Sequence, residues 1–236
     1  MISPPEPDHS ISSPLSSEEP SPDLSSKEST ALPPRIAVLA SGRGSNLQAL
    51  IDAIEHGDLC AQIALVICNH VGAPVLERAA IHRLPIQLMP RRDYPSREAQ
   101  QAAILEALQE AHVALVVLAG FDRILDASLV RAFPHRIVNI HPSLLPAFAG
   151  GMAPRPQADA LEYGVKISGC TAHLVTEELD AGPIIAQATV PVLEHDTVET
   201  LSDRILEQEH RVLPLAVSLL LGGKVQIEGR RAHILP

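Results

Sequence analysis

Along the chain, compact apolar runs alternate with stretches whose apolar residues recur every three to four positions. "RIAVLA" (35–40), "QIALVIC" (62–68), "VALVVLAG" (113–120) and "RIVNI" (136–140) have the character of buried strands, with a shorter extended piece near "IQLM". In "SNLQALIDAIEHG" (45–57), Leu47, Leu50, Ile51 and Ile54 keep helical spacing, and Gly57 supplies a left-handed stop. "APVLERAAIHR" (73–83) and "SREAQQAAILEALQEA" (96–111) repeat that spacing. Strands alternating with helices predict right-handed βαβ crossovers: an α/β fold with a mostly parallel, twisted sheet and helices on both faces. From about residue 165 the pattern changes. There, two β-rich stretches in "VKISGCTAHLVTEELDAGPIIAQATVPV" flank a turn-forming segment, which predicts an antiparallel C-terminal extension of the sheet. A long helical region (197–223) closes the pattern, and Pro214, which lacks an N–H, is expected to bend or divide it.

The first residues follow neither pattern. "MISPPEPDHSISSPLSSEEPSPDLSSKEST" is rich in Ser, Pro and Glu and has too little apolar surface to offset the entropy of ordering it. The expected organisation is therefore a disordered tail over 1–31 and one α/β domain over 32–236.

Composition narrows the partners. With no Trp, two Tyr and three Phe, the core must be built from aliphatic side chains. A net charge of −10 argues against a nucleic-acid backbone as a partner, though a phosphorylated small molecule needs only a local cradle. No apolar run reaches the roughly 18 residues that span a bilayer, so no membrane partner is expected. Three separated cysteines without a CxxC pair point to reduced thiols and a cytoplasmic protein.

Chemistry concentrates at strand ends. In "RIVNIHPSLLP" (136–146), successive strand residues face opposite ways, so Asn139 and His141 project together while Ile140 points away. Pro142 cannot donate to a sheet ladder and should end the strand. An amide donor beside an imidazole suits a developing oxyanion, with the His able to move a proton near neutral pH. A third group is needed to orient the His, and "TEELDAGP" offers Asp180, Glu177 or Glu178, among which spacing does not choose. After the first strand, "LASGRGSNLQAL" has Gly42 and Gly44 for an unusual backbone and Ser45 and Asn46 as capping oxygens. That arrangement suits a phosphate at a helix N-terminus, and equally a tight strand-to-helix turn. The loop lacks the GK[ST] of a Walker A sequence and the third glycine of a dinucleotide fingerprint. "GRGSN" is not the GxSxG of a serine hydrolase. The 11 histidines form no HxxxH or HExxH arrangement, so no metal is expected.

"LASGRGSNLQALID", "VVLAGFDRIL", "IVNIHPSLLP", "LVTEELDAGPII" and "RILEQEHRVLP" occur in the order seen in the phosphoribosylglycinamide formyltransferase family, which the chain resembles from about residue 35 to 230. The resemblance implies a Rossmann-like formyltransferase fold, with 32–236 as the catalytic domain. It also implies a one-carbon transferase of de novo purine biosynthesis. Such an enzyme moves a formyl group from 10-formyltetrahydrofolate, a co-substrate, to the amine of 5'-phosphoribosylglycinamide. By position, Asn139, His141 and Asp180 would be catalytic, and Gly44, Ser45, Asn46 and Glu209 would hold the substrate. Arg97, Asp122, Arg123, Ile124 and Leu125, with Asn139, would meet the folate. Two related activities are expected to need more chain than this: a deformylase an N-terminal regulatory domain, and a transfer-RNA formyltransferase a C-terminal RNA-binding one.

Two stretches depart from the family pattern. Asp122 stands in "GFDRIL" where the family usually has an apolar residue. "PAFAGGMAPRPQADALEYG" (146–164) has extra residues and two prolines, Pro154 and Pro156, where the family begins a helix, so a loop is expected there.

Overall fold

The first apolar run forms β1 (Arg35–Ala40), whose residues alternate between two cores: Ile36, Val38 and Ala40 enter one apolar cluster, Ala37 and Leu39 the other. Burial on both faces is why the run is apolar at every position after Arg35. The computed structural model describes residues 32–236, and the expectation for the tail over 1–31 lies outside the described residues. β2 (Gln62–Cys68), β3 (Ile86–Leu88), β4 (Leu115–Leu118) and β5 (Ile137–His141) join β1 as parallel strands. β6 (Ile167–Leu174) runs antiparallel to β5, and β7 (Ile184–Pro191) antiparallel to β6, as the change of pattern near residue 165 predicts. The order is β3-β2-β1-β4-β5-β6-β7. Strand order reverses between β1 and β4, and a parallel sheet opens its ligand crevice beyond the carboxyl ends at such a point.

α1 (Ser45–His56) and α2 (Pro74–Ile81) cover one face, burying Leu47, Leu50, Val75 and Ala79. α3 (Arg97–Glu110) and α4 (Ala127–Ala132) cover the other with Ile104, Leu108, Leu129 and Val130. α5 (Arg155–Tyr163) and α6 (Val198–Leu221) return to the first face.

Several expectations need correction. The stretch around 150–157 is not all loop, for α5 begins at Arg155. A proline in the first helical turn lacks only an N–H that has no partner there, so Pro156 is tolerated, and its burial with Gln157 and Ala160 anchors the turn. Ser45 and Asn46 do not cap α1; Gly44 takes that position with φ 73°, and no side chain caps the helix. Pro214 does not divide α6, which runs unbroken for 24 residues. Buried Leu201, Ile205, Val212, Leu213, Ala216 and Val217 hold it on both sides of the proline, so packing outweighs one missing hydrogen bond. The run 113–120 gives the sheet only Leu115–Leu118. Sequence patterning also did not foresee α4 or the terminal hairpin of β8 (Val225–Glu228) and β9 (Arg231–Ile234).

Candidate active site

A cavity of about 980 Å³ lies beyond the carboxyl ends of β1, β4 and β5. Its walls include Asn139, His141 and Asp180, the turn from Gly44 to Asn46, the loop from Asp122 to Leu125, and Glu209. Period-two geometry puts Asn139 and His141 on one face of β5, and the strand ends at His141, immediately before Pro142. The three candidate acids all border the cavity, and Asp180 is the one that reaches His141. Its Oδ2 lies 3.4 Å from His141 Nδ1, with side chains only 8% and 3% exposed. It also accepts a 2.8 Å hydrogen bond from the Gly150 N–H. Glu177 pairs with Arg131 at 2.9 Å. Two features set Asp180 in place: its φ of 51°, and the approach of Gly182 to β6, where a Cβ would sit 1.8 Å from the Leu174 oxygen.

The other nitrogen of His141, Nε2, lies 3.1 Å from the Phe148 carbonyl oxygen. The two ring nitrogens thus face two oxygens, the Asp180 carboxylate on one side and the Phe148 carbonyl on the other.

Sequence reasoning missed His173. The β5–β6 register sets it opposite Asn139, and Asn139 Nδ2 donates to its Nε2 at 3.1 Å. Nδ1 of His173 donates to the Leu174 carbonyl at 3.1 Å, which leaves Nε2 as the acceptor. Burial lowers the His173 pKa, outweighing the raising effect of Asp180, so the ring is held neutral and fixes the Asn139 amide. No periodicity in β6 announces this contact, because it depends on how the two strands pair. Gln157 was also not foreseen. It lines the cavity from α5, and its buried Oε1 has no partner among the described residues.

At the far end of the cavity, Gly44 takes a left-handed backbone so close to α2 that an added Cβ would meet Val75 Cγ2 at 2.7 Å. Asn46 donates to Glu209 at 2.7 Å across α1 and α6, while its buried Oδ1 has no partner among the described residues. Burial raises the Glu209 pKa despite the bond from Asn46 and the nearby Arg43 charge. Cys170, also buried and close to Glu209, is pushed up to about 12, so it stays a thiol.

Asp122 lines the cavity as expected for its loop, but its carboxylate is committed to the protein. Oδ1 accepts from Asn69 Nδ2 at 2.6 Å and Oδ2 from His70 Nε2 at 2.7 Å. Burial opposes its charge, yet the hydrogen bonds from Asn69, His70 and Ser41 prevail and hold its pKa below the usual range. Arg97 does not appear in the cavity wall; its guanidinium donates to the Ile124 carbonyl at 2.8 Å and supports that loop from outside. Among the described residues, no group of three or more His, Cys, Asp or Glu is arranged to hold a metal ion, and no helix is long and apolar enough to cross a membrane.

Fold and site define a class: a doubly wound α/β protein with a histidine–aspartate pair and a glycine-led helix N-terminus in one crevice. Residues 34–217 match the formyl transferase family. The chain is 40% identical over 188 residues to phosphoribosylglycinamide formyltransferase of Bacillus subtilis, covering 80% of this chain and 95% of that protein. Glycinamide ribonucleotide transformylase 1 from Symbiobacterium toebii superposes with a TM-score of 0.83 at 50% identity, covering 86% of this chain and 94% of the other. The trifunctional purine biosynthetic protein adenosine-3 of Gallus gallus is 45% identical over 193 residues, which are 82% of this chain but only 19% of that protein. The chain belongs to the formyl transferase family.

Proposed function

We propose that the chain is a phosphoribosylglycinamide formyltransferase of de novo purine biosynthesis, working in the cytoplasm with residues 32–236 as its catalytic domain. It takes the formyl group from 10-formyltetrahydrofolate, a co-substrate, and gives it to the amine of 5'-phosphoribosylglycinamide. The observation that carries the reading is the inward-facing set Asn139, His141 and Asp180, which shares one cavity with the Gly44–Asn46 turn.

The amine attacks the formyl carbon, forming a C–N bond and turning the carbonyl oxygen into an oxyanion. Asn139 has one N–H committed to His173 and the other available to that oxygen. The His141 ring, flanked by Asp180 at Nδ1, donates the second hydrogen bond once the oxyanion replaces the Phe148 carbonyl at Nε2. Preorganised donors of this kind strengthen as charge develops, and each is worth about 3–4 kcal/mol in a transition state. Breaking the bond from carbon to the folate nitrogen then requires a proton on that nitrogen, and the amine has one to lose. His141 and Asp180 carry that exchange. Gly44, Ser45 and the buried Oδ1 of Asn46, with Glu209, receive the phosphoribosyl end. The Asp122–Leu125 loop, braced by Arg97, receives the folate.

The test is formyl transfer between these two substrates, comparing wild type with His141→Ala. The expected result is formylated product from wild type and a loss of 10²-fold or more, on the order of what general acid–base groups contribute. A folded wild type that makes no product overturns the reading.

A further inference from the structure

The sheet's switch point carries a hydrogen-bonded ring that the proposed chemistry does not use. Ser41 Oγ donates to Asn69 Oδ1 at 2.6 Å, and Asn69 Nδ2 donates to Asp122 Oδ1 at 2.6 Å. The Asp122 backbone N–H closes the ring by donating to Ser41 Oγ at 2.9 Å. The Ser41 hydroxyl has a single proton and two acceptors in reach, Asn69 Oδ1 at 2.6 Å and Asp122 Oδ1 at 3.1 Å; the ring takes the shorter bond, and the same oxygen receives the Asp122 N–H. His70 Nε2 then binds the remaining carboxylate oxygen at 2.7 Å. Ser41 also meets the neighbouring loop through its backbone, its N–H donating to the Gly120 carbonyl at 3.1 Å.

The three ring members follow three adjacent strands: Ser41 leaves β1, Asn69 leaves β2 and Asp122 follows β4. Two loops emerge from this knot. Gly42 to Ser45 runs from Ser41 into the helix end, and Arg123 to Leu125 runs on from Asp122. Asp122 and Ser41 touch the cavity, whereas Asn69 is buried behind it and is not part of its wall. One side of the knot therefore sets the phosphate turn and the other the folate loop, and neither can shift without breaking a bond to the other.

We propose that Asp122 is a positioning residue whose carboxylate, through Asn69 and Ser41, couples the phosphoribosyl and folate subsites, so that filling one preorganises the other. This rests on the function proposed above. A network with its donors and acceptors matched has one low-energy arrangement, and a ligand that orders one loop has already met part of the entropic cost of ordering its neighbour.

The test is equilibrium binding of 5'-phosphoribosylglycinamide with and without tetrahydrofolate, the deformylated product, so that no transfer occurs. In wild type, each ligand should tighten the other at least about 5-fold, the low end of ordinary coupling. Asp122→Leu and Asn69→Leu should each reduce that factor to near one and raise both KM values, with kcat changed much less. Asp122→Asn keeps the oxygen that Asn69 needs, and should retain the coupling. Should the leucine variants fail to fold, Ser41→Ala, which removes one donor and one acceptor with little change in volume, carries the same expectation. Wild type that binds both ligands without coupling overturns the proposal, as does coupling that survives Asn69→Leu. Wild type that binds neither ligand removes the functional reading itself, and the coupling with it.

Discussion

Gly182→Ala tests whether catalysis depends on the tight seating of the Asp180 turn. A Cβ at this position would lie 1.8 Å from the Leu174 oxygen and 3.1 Å from Thr176 Cγ2, whereas ordinary contact begins at 3.4 Å. The obstacle is backbone, so the turn must retreat by roughly 1.5 Å to restore van der Waals contact. Asp180 is two residues away and would move with it, opening the 3.4 Å approach to His141. The Leu174 oxygen also accepts from His173 Nδ1, so the tether behind Asn139 loosens as well. A misplacement of about 1 Å near reacting groups costs on the order of 10²-fold in rate, and overpacking costs about 1–3 kcal/mol of stability. The expected result is a fall in kcat of about that size with a moderate drop in Tm. Gly57→Ala is the control: Gly57 has φ 85° with nothing within 4 Å, so alanine there strains the backbone by about 1–2 kcal/mol far from the cavity. It should lower Tm comparably and leave turnover alone. A Gly182→Ala protein whose turnover stays within a few-fold of wild type would refute the reasoning.

Two further outcomes are expected. Asn139→Ala removes one oxyanion donor and should lower kcat by about 10²–10³-fold with small changes in KM; a rise in KM at constant kcat would mean that Asn139 only binds substrate. Asp196 is held well below the usual carboxylate range, chiefly by hydrogen bonds from Arg204 and also from the Leu193 N–H and Thr200. Because the folded-state pKa is the lower one, this pair stabilises the protein fully above the ordinary Asp value of about 4 and loses that stabilisation as pH falls toward the folded value. Asp196→Asn should therefore lower Tm at neutral pH and converge with wild type on acidification; a Tm difference independent of pH would exclude the charge as its source.

The chain's own patterning determined much of this protein. Local periods produced the alternation of strands and helices, the antiparallel extension and the shared face of Asn139 and His141, because side-chain direction follows from backbone geometry within a single element. The Gly-rich turn after the first strand was legible for the same reason, and so was the strand's end at Pro142. Tertiary structure decided what depends on two elements meeting. His173 reached Asn139 through strand register, which nothing within β6 encodes. Asp180 rather than Glu177 reached His141 because Gly182 lets its loop press against β6, while Glu177 pairs with Arg131. Asp122, out of place by sequence alone, found Asn69 and His70 just beyond the end of β2, Asn69 being 53 positions away. Helix α5 formed past two prolines, and α6 ran through a third, because burial of their apolar faces exceeded the local cost. Local rules set what each segment prefers, but hydrogen-bond partners in the core are chosen by the packing of segments distant in sequence.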